Sequence, residues 1–258
     1  FRDISKRKKL SAEMVAAKEE ALQASQAKTE FLATMSHEIR TPLHGILSYA
    51  QMGASRVDTV ELAKLKRYFE NIDLSAQRLV LLFNDLFDFS KLDAGVMRYD
   101  FKFQDLRPVL KNCIKEQAGL AAAQQLELVL VGHAQMAYFD SARISQVLTN
   151  LLSNAIRMTP IDKKIIIRLE QLDSNQAQVT VSDEGVGIVE GELLKIFEQF
   201  TQGCHKDAST GGAGLGLAIS REIITAHRGQ IWAENRPGLG HVLGADFRFI
   251  LPIRKTDW

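Results

Sequence analysis

The stretch FLATMSHEIRTPLHGIL, residues 31–47, sets a His, a Glu, an Arg and a Pro inside what otherwise reads as one apolar helical stripe. A titratable ring followed at once by a carboxylate, with a helix-disturbing Pro shortly after, is more than a plain bundle helix needs. Upstream, Leu10, Met14, Ala17, Ala21, Ala24, Lys28, Phe31 and Met35 keep the alternating four-three spacing of a heptad seam. The Ala residues and Lys28 make that seam weak, which suits either a passive linker helix or one built to shift between packings. Downstream, Leu62, Leu65, Phe69, Ile72, Ala76, Leu79, Phe83 and Leu86 form a second seam that runs into SKLDAG (90–95), with Gly95 as a helix stop. The short GASRVD (53–58) reads as the connection between the two. An antiparallel pair of such helices cannot bury its stripe alone, so a homodimeric four-helix bundle is expected.

Composition limits what else the chain does. Its 258 residues exceed one compact domain, so two modules are expected. Lys and Arg total 32 against 31 Asp and Glu, a formal charge of +1, which argues against nucleic acid held by bulk electrostatics. The two cysteines, Cys113 and Cys204, lack the patterning of a disulfide scaffold or zinc site, and point to a reducing, cytoplasmic setting. No stretch approaches the roughly 20 apolar residues that cross a bilayer, and FRDISKRKKL (1–10) lacks a signal-peptide core, so no membrane contact is expected of this fragment. A membrane-anchored parent stays open.

Past residue 98 the pattern changes. LELVLV (126–131), KIIIRLEQ (164–171) and AQVTVSD (177–183) read as strands, the last two joined through LDSN as a hairpin. SARISQVLTNLLSNAI (141–156) reads as a helix capped by Ser141 and closed ahead of Pro160, and GLAISREIITAHRG (216–229) as another. HVLGADFRFILP (241–252) closes the chain as a strand or hairpin. The expected architecture is an α+β sandwich with helices on one face of a sheet.

Chemistry gathers in three places. VSDEGVGI (181–188) puts Asp183 at a strand end, ahead of Gly185 and Gly187, where the backbone must turn tightly or approach something closely. GGAGLGLAIS (211–220) packs Gly211, Gly212, Gly214 and Gly216 before a helix whose free N–H groups attract phosphate. Asn150 and Asn154, four apart, share one face of the helix 141–156. Two such amides are either satisfied core polars or, beside the glycine boxes, part of a magnesium-nucleotide site; an amide oxygen is a hard ligand that suits Mg²⁺.

Taken in order, MSHEIRTPL (35–43), NLLSNAIRMTP (150–160), VSDEGVGI, IFEQFTQ (196–202) and GGAGLGLAIS resemble the phosphoacceptor, asparagine, first glycine, F and second glycine boxes of a sensor histidine kinase. The match covers about 28–252, and the opening residues resemble the end of a PAS-type sensor running into a signalling helix. The resemblance implies a linker helix over 1–27, a dimerising phosphoacceptor hairpin over 28–96 and an ATP-binding domain of the gyrase and histidine kinase superfamily over 97–258. It implies ATP and Mg²⁺ as cofactors, autophosphorylation on His37, and onward transfer to an aspartate on a response-regulator receiver domain, with phosphatase activity toward that partner.

Site residues follow from the same resemblance. His37 is the phosphoacceptor, Glu38 orients its ring or takes its proton, and Thr41 helps place a hydrolytic water. An imidazole with an ordinary pKa near 6.5 is mostly neutral at pH 7 and hence nucleophilic. Pro42 bends the helix beside it and so supplies a switch. Asp183 accepts from the adenine amino group, Asn154 binds Mg²⁺, and Asn150, Arg157 and Lys206 lie near the phosphates. Gly185, Gly187, Gly212, Gly214, Leu215 and Gly216 wall the pocket, Phe197 and Phe200 anchor a polar lid (203–210), and Met158 stands where an aromatic commonly meets adenine. Ala213 replaces a usual Thr, and 238–247 is longer than usual. Asn at 150, where gyrase-type ATPases carry a Glu base, disfavours hydrolysis to bulk water. The alternative to an active autokinase is a nucleotide-binding pseudokinase serving as a dimeric scaffold, motivated by Met158 and Ala213.

Overall fold

The computed structural model describes residues 33–57, 60–173, 175–193, 195–198, 214–237 and 242–254, together with Lys18. The linker seam upstream of Met35, and with it Phe31 and Lys28, lies outside the described residues. The chain divides into two compact units, Phe1–Phe83 and Asn84–Trp258.

The first unit is a helical hairpin. Helix α1 is continuous over residues 33–56 and α2 spans Leu62–Asp93, its last turns belonging to the second unit. Residues 53–56, expected in the connection, are still helical, so α1 runs further than the sequence pattern placed it. The helices touch closely at Gly45, where a Cβ would stand 2.9 Å from Ser75 Oγ. Near the turn Gly53 faces Leu65 and Tyr68, and the Tyr49 and Tyr68 rings lie 6.0 Å apart. The helical conformation runs on through Pro42, which is buried and donates no backbone hydrogen bond.

Which α2 residues this contact buries differs from the seam read in sequence. Tyr68 and Leu82 are buried, each one position before the seam residues Phe69 and Phe83, which are 63% and 52% exposed. A hairpin partner needs only a narrow stripe. Only part of the seam stays on the outside of a single copy: Leu62 is 81% exposed, while Leu65, Ile72, Ala76, Leu79 and Leu86 are half-buried and Leu65 faces Gly53. Gly95 does terminate the helix: at φ +64 it lets its own N–H reach the Leu92 carbonyl and that of Val96 the Lys91 carbonyl, both at 3.0 Å.

The second unit is the α+β sandwich. After β1 (Lys102–Asp105) come α3 (Leu106–Ala123), β2 (Glu127–Gly132), β3 (Met136–Phe139), α4 (Ser141–Met158), β4 (Lys164–Gln171) and β5 (Gln176–Ser182). A short 3₁₀ turn precedes α5 (Gly216–Ala226), β6 (Gln230–Pro237) and β7 (Val242–Pro252). Five strands form a mixed sheet in the order β2-β4-β5-β7-β6, parallel only between β2 and β4. Strands β1 and β3 pair separately, antiparallel.

Alternation decides the buried face. Ile165, Ile167 and Leu169 of β4, Val179 and Val181 of β5, and Phe249 and Leu251 of β7 are all at most 1% exposed. The register sets Ile167 beside Val181 and Val179 beside Phe249, so these side chains share one side. On α4, Ile144, Val147, Leu148, Leu151 and Leu152 form a matching stripe, and α4 packs on α3, α5 and β5. Each such side chain contributes about 1.5–3 kcal/mol by leaving water.

Asp140, not Ser141, caps α4. Its Oδ1 accepts the N–H of Ala142 at 2.9 Å and of Arg143 at 3.1 Å, while Oδ2 accepts the N–H of Asp100 at 2.8 Å. The Asp140 N–H donates to His227 Nε2 at 3.0 Å, and His227 Nδ1 bonds the Ile223 carbonyl at 2.7 Å. Both ring nitrogens are thus committed to one neutral tautomer, with Tyr99 and Phe101 set edge-on to the ring at 5.6 and 4.8 Å. No described helix is long and apolar enough to cross a membrane.

Candidate nucleotide and phosphoacceptor sites

His37 is exposed on α1. Glu38 turns partly inward and forms an ion pair with Arg78 of α2, Oε2 to Nη2 at 3.9 Å. Thr41 sits one turn on and is exposed; its hydroxyl donates to the His37 carbonyl at 3.2 Å, so it bonds the backbone of His37. The helix thus presents the imidazole to solvent while anchoring its neighbours.

In the second unit Asp183 lies just past β5 and is only 3% exposed. Its Oδ1 accepts the Gly185 N–H at 2.8 Å and the Ala245 N–H at 3.1 Å. Burial pushes its carboxyl above the ordinary range, against the pull of those two N–H groups and of Arg236, with Asp246 adding to the rise. Oδ2 takes no hydrogen bond among the described residues and remains available to a donor.

The two glycines of the first box have different reasons. Gly187, at φ +74, makes the turn. Gly185 is a close approach, since a Cβ there would meet the Met158 carbonyl at 2.5 Å. Beside them, Ile188 is clamped by Asn235 of β6, which accepts its N–H at 2.8 Å and donates to its carbonyl at 2.6 Å. A third glycine absent from the sequence reading, Gly244 on β7, has φ +113 and would drive a Cβ to 2.1 Å from the Asp183 carbonyl. Its signal was present in LGADF (243–247), where a strand pattern is broken by a glycine opposite the β5 end.

The asparagine face of α4 is also assembled. Asn150 Nδ2 donates to the Gly216 carbonyl at 3.0 Å and reaches Ser220 Oγ at 3.4 Å, which ties α4 to the first turn of α5. Asn154 Oδ1 accepts Arg157 Nη2 at 2.7 Å. Helix α5 begins after Gly214, at φ +68, and makes no side-chain cap bond among the described residues; the first N–H groups of such a helix attract an anion. Leu215 is fully buried, which leaves only its backbone for a ligand. Met158 is 38% exposed at the end of α4. Phe197 packs edge-on to Phe247 at 6.4 Å. Lys206, Gly212, Phe200, Ala213 and the lid 203–210 lie outside the described residues.

The donor set fits the expected groups. Asn154 Oδ1 already receives a cation, the Arg157 guanidinium, so it can accept Mg²⁺. Among the described residues no cluster of three or more His, Cys, Asp or Glu could hold a metal. A carboxylate oxygen with no hydrogen bond among the described residues, next to Gly185 and Gly187, suits a base bearing an amino group.

Comparison with known proteins identifies both units. Residues 27–95 match the His Kinase A (phospho-acceptor) domain and residues 139–255 the histidine kinase-, DNA gyrase B- and HSP90-like ATPase family. The sensor histidine kinase GacS of Pseudomonas protegens is 36% identical over 252 residues, covering 95% of this chain and 27% of GacS. Full-length ShkA in complex with AMPPNP aligns with a TM-score of 0.64 at 26% identity, over 88% of this chain and 46% of that one. ThkA in complex with the response regulator protein TrrA aligns with a TM-score of 0.66 at 26% identity, over 87% and 61%. A hairpin presenting a histidine and a sandwich built to take a nucleotide define this class of protein, and the chain belongs to the sensor histidine kinases. It spans about a quarter of the length of the curated relative it matches.

Proposed function

We propose that this chain is the catalytic core of a two-component sensor kinase, which autophosphorylates on His37 at the expense of ATP and passes the phosphoryl group to a receiver aspartate of a response regulator. The observation that carries it is the exposed His37 on a chain whose second unit holds an ATPase fold with Asp183, Asn154 and an uncapped α5 directed to nucleotide chemistry. The complexes of ShkA with AMPPNP and of ThkA with TrrA support the nucleotide and the partner. We assign 1–27 to the signalling linker, 28–96 to the phosphoacceptor hairpin and 97–258 to ATP binding, the last two in keeping with the matched families.

Asp183 Oδ2 accepts from the adenine amino group, and the open N–H groups of α5 take phosphate oxygens. Mg²⁺, when bound, neutralises charge on the phosphates, with Asn154 as its protein ligand. Arg157, released from Asn154, turns its guanidinium to the phosphoryl group in transfer. Glu38, held by Arg78, stays near the His37 ring to orient it or take its proton. Thr41 serves the reverse, hydrolytic reaction on the phosphorylated partner. The exposed members of the α2 seam, Leu62, Phe69 and Phe83, support a homodimer closed through the hairpins. A buried free thiol at Cys113 fits a reducing cytoplasm.

Incubation with γ-labelled ATP and magnesium tests the reading. Acid-labile label on the wild type and none on His37→Gln supports the kinase. ADP binding without label supports the scaffold, and steady phosphate release independent of His37 contradicts both.

A further inference from the structure

We propose that Arg236 is a positioning and specificity residue for the nucleotide base, acting through Asp183 to favour a purine with a 6-amino group over one with a 6-oxo group. The inference rests on reading this unit as an ATP site. Nothing in the sequence singled Arg236 out, and it lies on β6, two strands away from β5 in the sheet.

The geometry is specific. Arg236 Nη1 donates to the Asp183 carbonyl oxygen at 3.0 Å, which brings its charge beside a carboxylate that is nearly sealed from solvent. The guanidinium is steered from its other side by Asp246, whose Oδ1 lies 3.7 Å from Arg236 Nε. Asp246 is itself held by Arg248, Nη2 to Oδ2 at 2.7 Å, and Arg248 reaches back to Glu234 at 3.2 Å. The groups acting on Asp183 are therefore the Gly185 N–H after β5, the Ala245 N–H and Asp246 from β7, and Arg236 from β6. Among them Arg236 is the cation, while burial and Asp246 both oppose ionisation.

That balance sets which base is read. An ionised carboxylate only accepts, so it pairs with the amino group at C6 of adenine and repels the oxygen at C6 of hypoxanthine or guanine. A protonated carboxyl can donate to that oxygen. The charge of Arg236 thus rejects the 6-oxo base as well as supporting the 6-amino base. Loss of that charge erodes both effects first on the acid side, where Asp183 begins to take a proton.

The test is calorimetric titration of the purified chain with ADP and with IDP, in magnesium, from about pH 5 to about pH 8.5. The variants are Arg236→Gln and Arg236→Lys, each checked for folding by circular dichroism. In Arg236→Gln the acid limb of ADP binding is expected to move up by about half a pH unit or more, a change that matches roughly a threefold loss of ADP preference over IDP on that limb. Arg236→Lys is expected to keep the wild-type limb and preference. Overlap of Gln variant and wild type, or equal loss of both nucleotides with an unmoved limb, overturns the proposal. If the Gln variant does not fold, a Lys variant that departs from the wild-type limb does the same. A wild type that binds neither nucleotide overturns the ATP-site reading itself and the inference with it, a result distinct from ADP binding that ignores Arg236.

Discussion

Asn150 Nδ2 donates to the carbonyl oxygen of Gly216 at 3.0 Å, so the asparagine helix is bonded directly to the first residue of the helix that follows the second glycine box. Its amide also reaches Ser220 Oγ, which itself donates to the same carbonyl at 2.8 Å. The side chain expected beside the phosphates is spent on aiming the α5 N-terminus that would receive them.

Asn150→Ala removes that bond and leaves a part-buried carbonyl with one partner fewer. A loss of about 1–2 kcal/mol in stability is expected, together with weaker ADP binding because the α5 N–H groups are no longer held. Asn150→Asp is expected to do worse, since it turns an acceptor toward a carbonyl. Thermal unfolding and calorimetric titration check both, and an Asn150→Ala chain with unchanged ADP affinity contradicts the aiming role.

The Arg157–Asn154 bond at 2.7 Å makes a second expectation. With Mg²⁺ on Asn154 as proposed above, the guanidinium and the ion would compete for one amide oxygen. Arg157→Ala should therefore bind nucleotide at lower magnesium than the wild type, yet transfer phosphoryl on the order of tenfold more slowly for want of the charge. Asn154→Ala should need more magnesium for the same occupancy. Titrating magnesium at fixed ATP analogue, alongside labelling rates, separates the two effects; a parallel change in both variants speaks against competition.

Much of this was legible in the chain. Periodicity located α4 and β4 almost to the residue, because each carries one strongly apolar face. It missed α3, whose apolar residues are diluted by Lys111, Asn112, Lys115 and Glu116, although Asp105 as cap and Pro108 in the first turn were local signals. It missed β6, in which Trp232, Glu234 and Arg236 look like loop chemistry until paired with β7. Within the proposed site, the residues that motif and spacing could name were those carrying their own chemistry. Gly244, Asn235 and Arg236 were not, since their roles arise only when β6 and β7 fold back beside Asp183.

His227 ties α5 to the α4 cap as a neutral ring, and burial holds its pKa below the ordinary histidine value. The unfolded chain then binds more protons below about pH 6.5, so stability falls as pH drops through that point. His227→Gln is expected to flatten this acid slope at some cost in stability at neutral pH. Both tryptophans fall within the second unit, so denaturant titration read by their fluorescence follows it; an equal slope in the variant removes His227 as the source.

Asp85 acts with opposite sign. Burial, reinforced by the negative charge of Asp88, raises its carboxyl to about 6 from an ordinary 3.8. The folded chain keeps a proton that the unfolded chain loses, so stability falls as pH rises from about 4 to about 6 and stays reduced above. Asp85→Asn is expected to be more stable at pH 7, by at most about 3 kcal/mol, and to lose that slope. An asparagine variant less stable at pH 7 would show that the carboxylate has a partner that outweighs its burial.

The central claim is that His37, exposed on α1, is the group that takes the phosphoryl. Peptide mapping by mass spectrometry under alkaline conditions, after incubation with Mg-ATP, tests it most directly. One phosphoryl group on the peptide that holds His37, lost on mild acid treatment and passed on when a receiver domain is added, is the expected result. Phosphoryl found on another residue, or an unmodified His37 in a chain that consumes ATP, contradicts the account.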